Sequence, residues 1–121
     1  MRLFQKLINS FHHSFHGLRY AYRKELSFRM EAWAGLVLVV VGYIAWPLRA
    51  YEFLFLALSY CFILALELFN TALERTLERL HPEEHELIGR SKDLASGAVL
   101  MGVIFAFVVA AVILWHRIIV L

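Results

Sequence analysis

Between Glu67 and Glu78, three carboxylates and one amide recur at helical spacing. At 100° per residue, Glu74 and Glu78 project about 20° to either side of Glu67, and Asn70 projects about 60° away. One face of a helix therefore carries carboxylates that can accept a proton or bind a cation. The opposite face is apolar and consists of Ala65, Leu68, Phe69, Ala72 and Leu73.

The position of this polar face relative to a membrane suggests that it has a function. A spanning helix must continue past Leu66 to be long enough, which draws Glu67 and Asn70 into or beside the membrane. A charge at the bilayer centre costs about 2.5–3.5 kcal/mol on insertion scales, so an intramembrane carboxylate is a candidate functional group. A second interpretation stays open, in which Glu67 pairs with a neighbouring helix while Glu74 and Glu78 form a solvated face.

Further charged residues flank the apolar stretches. Glu25 and Glu31 stand beside the first stretch, where spacing alone favours interfacial anchors over metal ligands. Lys92 and Asp93 immediately precede the third stretch. Lysine can extend to the interface and aspartate is favoured near a helix start. Equally, Lys92 could bind a phosphate with Asp93 as its orienting partner.

The connection before the third stretch contains the segment His81-Pro-Glu-Glu-His85, which fits the H-x-x-E-H pattern of one class of zinc protease. Zinc is disfavoured because Pro82 interrupts the helix that would have to present both imidazoles. The sequence contains no P-loop and no protein-kinase signature, so nucleotide chemistry would need another scaffold.

The composition identifies the elements that must position these groups. The chain has 121 residues, of which 61% are apolar and 18% charged, whereas a soluble domain is nearer half apolar and a quarter charged. Three stretches carry no charge: Ala32–Leu48, Phe53–Leu66 and Leu94–Trp115. This segregation excludes a disordered chain, a secreted disulfide scaffold and a soluble two-domain enzyme.

We therefore predict one all-α membrane domain over residues 1–121. Transmembrane helices are expected over residues 32–48, 53–73 and 94–115. An amphipathic interfacial helix is expected over residues 3–29, because apolar residues recur there at three-to-four spacing on an otherwise basic and polar segment. This apolar stripe comprises Leu3, Phe4, Leu7, Ile8, Phe11, Phe15 and Leu18.

Charge also predicts orientation. Six of the twelve basic residues lie in residues 1–29, which favours a cytoplasmic amino terminus and a membrane rather than a nucleic acid as partner. Three spans then leave the carboxyl terminus on the opposite side. The amino terminus lacks the pattern of a secretory signal, so we expect no processing.

Two linked motifs carry a resemblance to a known family. The segments Glu67-Leu-Phe-Asn-Thr-Ala-Leu-Glu74 and His85-Glu-Leu-Ile-Gly-Arg-Ser-Lys92-Asp93-Leu-Ala-Ser-Gly-Ala-Val-Leu100 closely resemble the signature of the small prokaryotic diacylglycerol kinases and their undecaprenol kinase relatives. The resemblance covers nearly the whole chain, including Gly17-Leu-Arg19 and Glu25-Leu-Ser-Phe-Arg29-Met-Glu31.

The resemblance implies a multi-pass enzyme of the bacterial inner membrane that transfers the ATP γ-phosphate to a lipid hydroxyl. It further implies a homotrimeric helical bundle whose active sites lie at subunit boundaries. By the same resemblance, Glu67 would be the general base and Asn70 would orient the reactants. Glu25 and Glu74 would hold Mg²⁺, the expected cofactor.

The remaining residue roles also come from the resemblance. Glu67, Ser96 and Trp115 would contact the lipid. The nucleotide would contact Lys6, His13, Glu25, Glu74, Glu83, His85, Lys92 and Asp93. Lys6 departs from the family, which tends to have arginine there, and lysine lacks the planar two-point contact of guanidinium.

Three functions remain to be separated. Phosphorylation of diacylglycerol to phosphatidic acid is favoured over the same chemistry on undecaprenol, because the run from His85 to Asp93 looks more like the diacylglycerol branch. A non-enzymatic ion conduit or partner subunit, using Glu67 and Asn70, is the alternative of another class.

Overall fold

The computed structural model describes residues 2–120, with side chains as far as residue 119. It contains the helices α1 (Arg2–Lys24), α2 (Leu26–Ile44), α3 (Ala50–Leu80) and α4 (Glu86–Val120). The helices α2, α3 and α4 are each long and apolar enough to cross a membrane. The predicted fold class, three such helices preceded by an amino-terminal helix, is thereby confirmed.

The boundary between α1 and α2 lies at Glu25. This residue has an extended backbone, with φ −112° and ψ 108°. Arg29, which was expected in the interfacial helix, instead belongs to α2. Its guanidinium donates hydrogen bonds to the carbonyl oxygens of Tyr22 and Arg23, at 3.1 and 3.4 Å. These bonds satisfy carbonyl groups that the end of α1 leaves without helical partners.

The turn between α2 and α3 follows from Pro47. Helix α2 ends at Ile44, before the residue that precedes the proline, because proline lacks an N–H and disfavours a helical neighbour. The expected span over residues 32–48 therefore includes part of this turn. Helix α3 then starts with a cap in which the Arg49 backbone N–H donates to Glu52 Oε1 at 2.9 Å.

Helices α3 and α4 form an antiparallel hairpin against which α2 packs. Gly102 allows the close approach, since a methyl group added there would lie 3.0 Å from Leu66. A buried apolar cluster joins all three helices and consists of Val41, Ala45, Leu56, Val109 and Ile113. The outward faces are also apolar and exposed, as expected of helices surrounded by lipid or by other copies.

The carboxyl-terminal end of α1 packs on α2. Ala21 is its buried residue, and the Trp33 indole N–H donates to the Tyr22 hydroxyl at 3.0 Å. The apolar stripe of α1 is exposed, with Leu3, Phe11 and Phe15 each more than half accessible. Such a stripe is typical of a helix that lies in a membrane interface.

Candidate active site

Helix α3 carries Glu67 and Asn70 into the interior of the helical bundle. Glu67 is 5% exposed and Asn70 is 9% exposed. The Oδ1 atom of Asn70 is buried and has no hydrogen-bond partner among the described residues. A buried acceptor without a partner costs free energy, so this amide is available to a ligand that brings a donor.

Other carboxylates surround Glu67. Glu31, Glu74 and Glu25 lie near enough to repel a negative charge on it. Glu74 is half-buried on α3, Glu31 is half-buried on α2, and Glu25 is buried at the junction of α1 and α2. The helical face predicted from sequence is thus extended by carboxylates from a second element.

A chain of ion pairs leads from this cluster toward the amino-terminal end of α4. Arg75 contacts both oxygens of Glu25, with Nε–Oε1 at 2.8 Å and Nη2–Oε2 at 2.7 Å. The same guanidinium reaches Glu78 through Nη1 at 2.8 Å. Lys92 lies 3.8 Å from the other oxygen of Glu78. Acidic and basic groups therefore alternate across three elements.

The hydrogen bonds from Arg75 affect the charge of Glu25. They hold the pKa of the Glu25 carboxyl below its ordinary value, and they outweigh the opposing effect of burial. Glu25 is therefore ionised at neutral pH. An ionised carboxylate is the form that binds a cation.

Two of these carboxylates are of the type that could hold a magnesium ion. Magnesium in phosphoryl-transfer enzymes is held by one or two carboxylates together with phosphate oxygens and water. Glu25 and Glu74 can supply that contribution. Over residues 2–119, no three His, Cys, Asp or Glu side chains are grouped to hold a metal. The donor set thus suits a phosphate-bound cation better than a metal caged by protein alone.

The connection between α3 and α4 forms a polar cavity of about 580 Å³. Glu83, His85 and Lys92 line it, as does Glu78. The Nδ1 atom of His85 accepts the Leu87 backbone N–H at 3.1 Å. This bond turns the imidazole toward the start of α4, so one of its nitrogens is committed to the backbone.

Some predicted residues lie far from this cluster within one chain. Lys6 is about 28 Å along α1 from its end near Glu25, at 1.5 Å per residue, and both Lys6 and His13 are exposed. Ser96 and Trp115 are also about 28 Å apart along α4. One subunit therefore does not bring these residues into contact with a single small group.

Sequence reasoning missed the role of Arg75. Its partner Glu25 lies 50 residues earlier, so no local pattern pairs the two side chains. Glu31 was recognised as a possible anchor or ligand, and the structure adds its proximity to Glu67. The sequence feature that could have drawn attention to both residues is their charge: Glu31 lies near the start of α2, and Arg75 lies near the end of α3.

Comparison with known proteins supports the resemblance to prokaryotic diacylglycerol kinases. The model of the prokaryotic diacylglycerol kinase family matches residues 12–114. The diacylglycerol kinase of Escherichia coli strain K12 is 35% identical over 115 residues, covering 94% of this chain and 93% of its own. That of Haemophilus influenzae is 35% identical over 95 residues, covering 78% and 80%.

A relative with another named substrate also matches. The undecaprenol kinase of Bacillus subtilis is 28% identical over 108 residues, covering 89% of this chain and 87% of its own. The fold and these matches define a membrane-embedded lipid kinase. The chain belongs to the prokaryotic diacylglycerol kinase family. The family resemblance seen in the sequence is confirmed, and the non-enzymatic alternative is not supported.

Proposed function

We propose that the protein transfers the γ-phosphate of ATP to the free hydroxyl of diacylglycerol, forming phosphatidic acid and ADP. The observation that carries this proposal is the burial of Glu67 beside the ion-paired chain that leads to the polar connection. This arrangement joins an apolar interior, where a lipid hydroxyl is found, to polar groups suited to a nucleotide. Phosphoryl transfer mainly requires such positioning together with neutralisation of charge.

Glu67 acts as the general base in this proposal. Its carboxylate takes the proton of the lipid hydroxyl as that oxygen attacks the γ-phosphorus, and the bond to the β-phosphate oxygen breaks to release ADP. Asn70 orients the reactants: its amide N–H groups can donate to the hydroxyl oxygen, while the single hydroxyl proton goes to Glu67. Removal of a positioned proton acceptor typically slows such a reaction by about 10²–10⁴-fold.

The nucleotide is held by charge at the ends of α3 and α4. Glu25 and Glu74 bind Mg²⁺, which when present neutralises charge on the phosphates. Lys92 contacts a phosphate, with Asp93 beside it. Glu83 and His85 supply further contacts in the connection. The support is the polar cavity there and the alternation of charges that ends at Lys92.

The lipid chain lies against the apolar faces of the helices. A cavity of about 400 Å³ between α2, α3 and α4 is lined by apolar side chains, with Glu31 among its lining residues. An acyl chain would fill this cavity with its polar head near Glu67. Ser96 contacts the head region and Trp115 contacts the far part of the lipid, which is consistent with their separation along α4.

The assembly is a homotrimer with shared active sites in the bacterial inner membrane, its amino terminus cytoplasmic. The support is that Lys6 and His13 lie far from Glu67 in one chain but could meet a neighbouring subunit's site. The basic residues around α1 and the connection favour the cytoplasmic side. Helix α1 then lies in the cytoplasmic interface.

The acceptor lipid is tested by offering labelled ATP to the purified chain in bilayers that contain either diacylglycerol or undecaprenol. We expect label chiefly in phosphatidic acid, because the diacylglycerol kinases of E. coli and H. influenzae are more similar to this chain than the B. subtilis undecaprenol kinase is. The Glu67→Gln variant, prepared identically, controls for a contaminating kinase. Preferential labelling of undecaprenol would overturn the proposed substrate.

A further inference from the structure

The Arg75 guanidinium occupies the oxygens of Glu25 to which the proposed magnesium ion would bind. It binds both oxygens of Glu25 in a two-point contact, and it also binds Glu78. The Glu25 side chain is 10% exposed, whereas that of Arg75 is 49% exposed. The carboxylate is thus fixed in the interior, while its cationic partner can reach solvent.

A divalent cation and this guanidinium compete for the same carboxylate. A magnesium ion bound to Glu25 would lie about 2.0–2.1 Å from a carboxylate oxygen. The arginine nitrogens are 2.7 and 2.8 Å from those same oxygens. Two cations at such distances from one carboxylate repel each other strongly, so binding of one weakens binding of the other.

Arg75 also has another acidic partner. Glu78 lies one turn further along α3 and already pairs with Arg75 and, more distantly, with Lys92. When Arg75 leaves Glu25, it can keep its contact with Glu78. Displacement of the guanidinium therefore does not leave its charge without a partner.

We propose that Arg75 is the built-in counter-cation of Glu25 and makes tight divalent-cation binding there depend on nucleotide phosphate. A free cation must displace Arg75 without compensation. A cation that arrives on a triphosphate brings negative charge that attracts both the cation and the displaced guanidinium. Arg75 is thus a residue that selects the nucleotide-bound form of the cation. This inference rests on the proposed role of Glu25 as a cation ligand.

The test measures binding of free Mn²⁺, without nucleotide, to the full-length protein by electron paramagnetic resonance. We expect Arg75→Gln to tighten Mn²⁺ binding by about three- to tenfold, because it removes a competing charge-assisted contact. The matched control is Arg79→Gln, which removes the same charge one turn further along α3. Arg79 is exposed and forms no salt bridge among residues 2–119, so its substitution should leave Mn²⁺ binding unchanged.

The double variant Arg75→Gln/Glu25→Gln should lose the tighter Mn²⁺ binding expected of Arg75→Gln. The inference is overturned if Arg75→Gln binds Mn²⁺ no more tightly than the wild type, if Arg79→Gln gains equally, or if the gain survives in the double variant. Binding of Mn²⁺–ATP to Glu25→Gln alone tests the underlying role. If that binding is unchanged, the ligand role of Glu25 fails and the inference fails with it. If it weakens but Arg75→Gln shows no gain, only the inference fails.

Discussion

At the scale of single residues, the acidic groups on and beside α3 differ in what neutralises them. Glu25 and Glu78 are paired with Arg75. Glu67 is buried and has no salt bridge among residues 2–119. The Glu25 carboxylate already holds a cationic partner, whereas no basic side chain of the described residues occupies the Glu67 carboxylate. The difference suits Glu25 for holding a cation and Glu67 for accepting a proton.

The Glu25–Arg75 pair predicts a pH dependence of stability. The pKa of Glu25 is lowered from 4.5 in the folded protein, so the pair stabilises the fold fully above about pH 4.5, the ordinary value of a free glutamate. That stability is lost as the pH falls through the lower folded pKa. The thermal midpoints of wild type and Glu25→Gln, measured from pH 7 to 3, should therefore converge in acid. A difference that stays constant over this range would contradict the assignment.

Sequence patterns predict which residues share a helix face better than they predict which side chains contact each other between helices. Helical spacing correctly grouped Glu67, Asn70 and Glu74 because periodicity is a local property. The contact of Arg75 with Glu25 depends on the angle between α1, α2 and α3, which no local pattern specifies. The same limit applies to the proximity of Glu31 to Glu67.

At the scale of elements, uncharged stretches predicted the three spanning helices and apolar periodicity predicted the amphipathic helix, while the helix ends depended on local chemistry. Pro47 explains why α2 ends at Ile44, although the expected span continued to residue 48. The break at Glu25 had no glycine or proline to mark it, and it coincides with the long-range bond to Arg75. The sequence therefore predicted two separate helices, but not the position of the break between them.

The opposite end of the bundle is held by Arg117. Its guanidinium donates to the carbonyl oxygens of Ala45 and Pro47, at 2.8 and 2.6 Å, and to Glu52 Oε1 at 2.7 Å. Glu52 is 3% exposed. This cluster ties the end of α4 to the turn between α2 and α3. It lies far along the bundle from Glu67 and acts on stability.

Replacing Arg117 with leucine should destabilise the fold by about 3 kcal/mol, because a buried carboxylate loses its cation. The loss is measured by thermal unfolding in detergent micelles. The double variant Glu52→Gln/Arg117→Leu should recover part of it, since the amide still accepts the Arg49 N–H without carrying a charge. The role given to this cluster would be wrong if the single variant were as stable as the wild type.

At the scale of the whole molecule, one chain holds only part of the proposed site. The group around Glu67 and the connection lie in the α2–α4 bundle, while Lys6 and His13 project from exposed parts of α1. The apolar outer faces of the helices provide area for contact between copies. Site sharing between subunits is the arrangement that would bring these residues together.

Mixed trimers test site sharing. Glu67→Gln and Lys6→Gln subunits, each poorly active alone, should regain activity when co-assembled, because an intact Glu67 can then meet an intact Lys6 across a boundary. A mixture of Glu67→Gln and Lys92→Gln should not recover, since both residues belong to one α3–α4 hairpin. Equal behaviour of the two mixtures in a lipid phosphorylation assay would argue against shared sites.

The most direct test of the account is the rate of phosphate transfer by the Glu67→Gln variant, measured with diacylglycerol and saturating Mg–ATP after confirming that the variant assembles like the wild type. Glutamine keeps the size and polarity of the side chain but cannot accept the proton. We expect a loss of about 10²–10⁴-fold in rate with nearly unchanged ATP binding. Full activity in a correctly assembled Glu67→Gln protein would contradict the assignment of Glu67 as the general base.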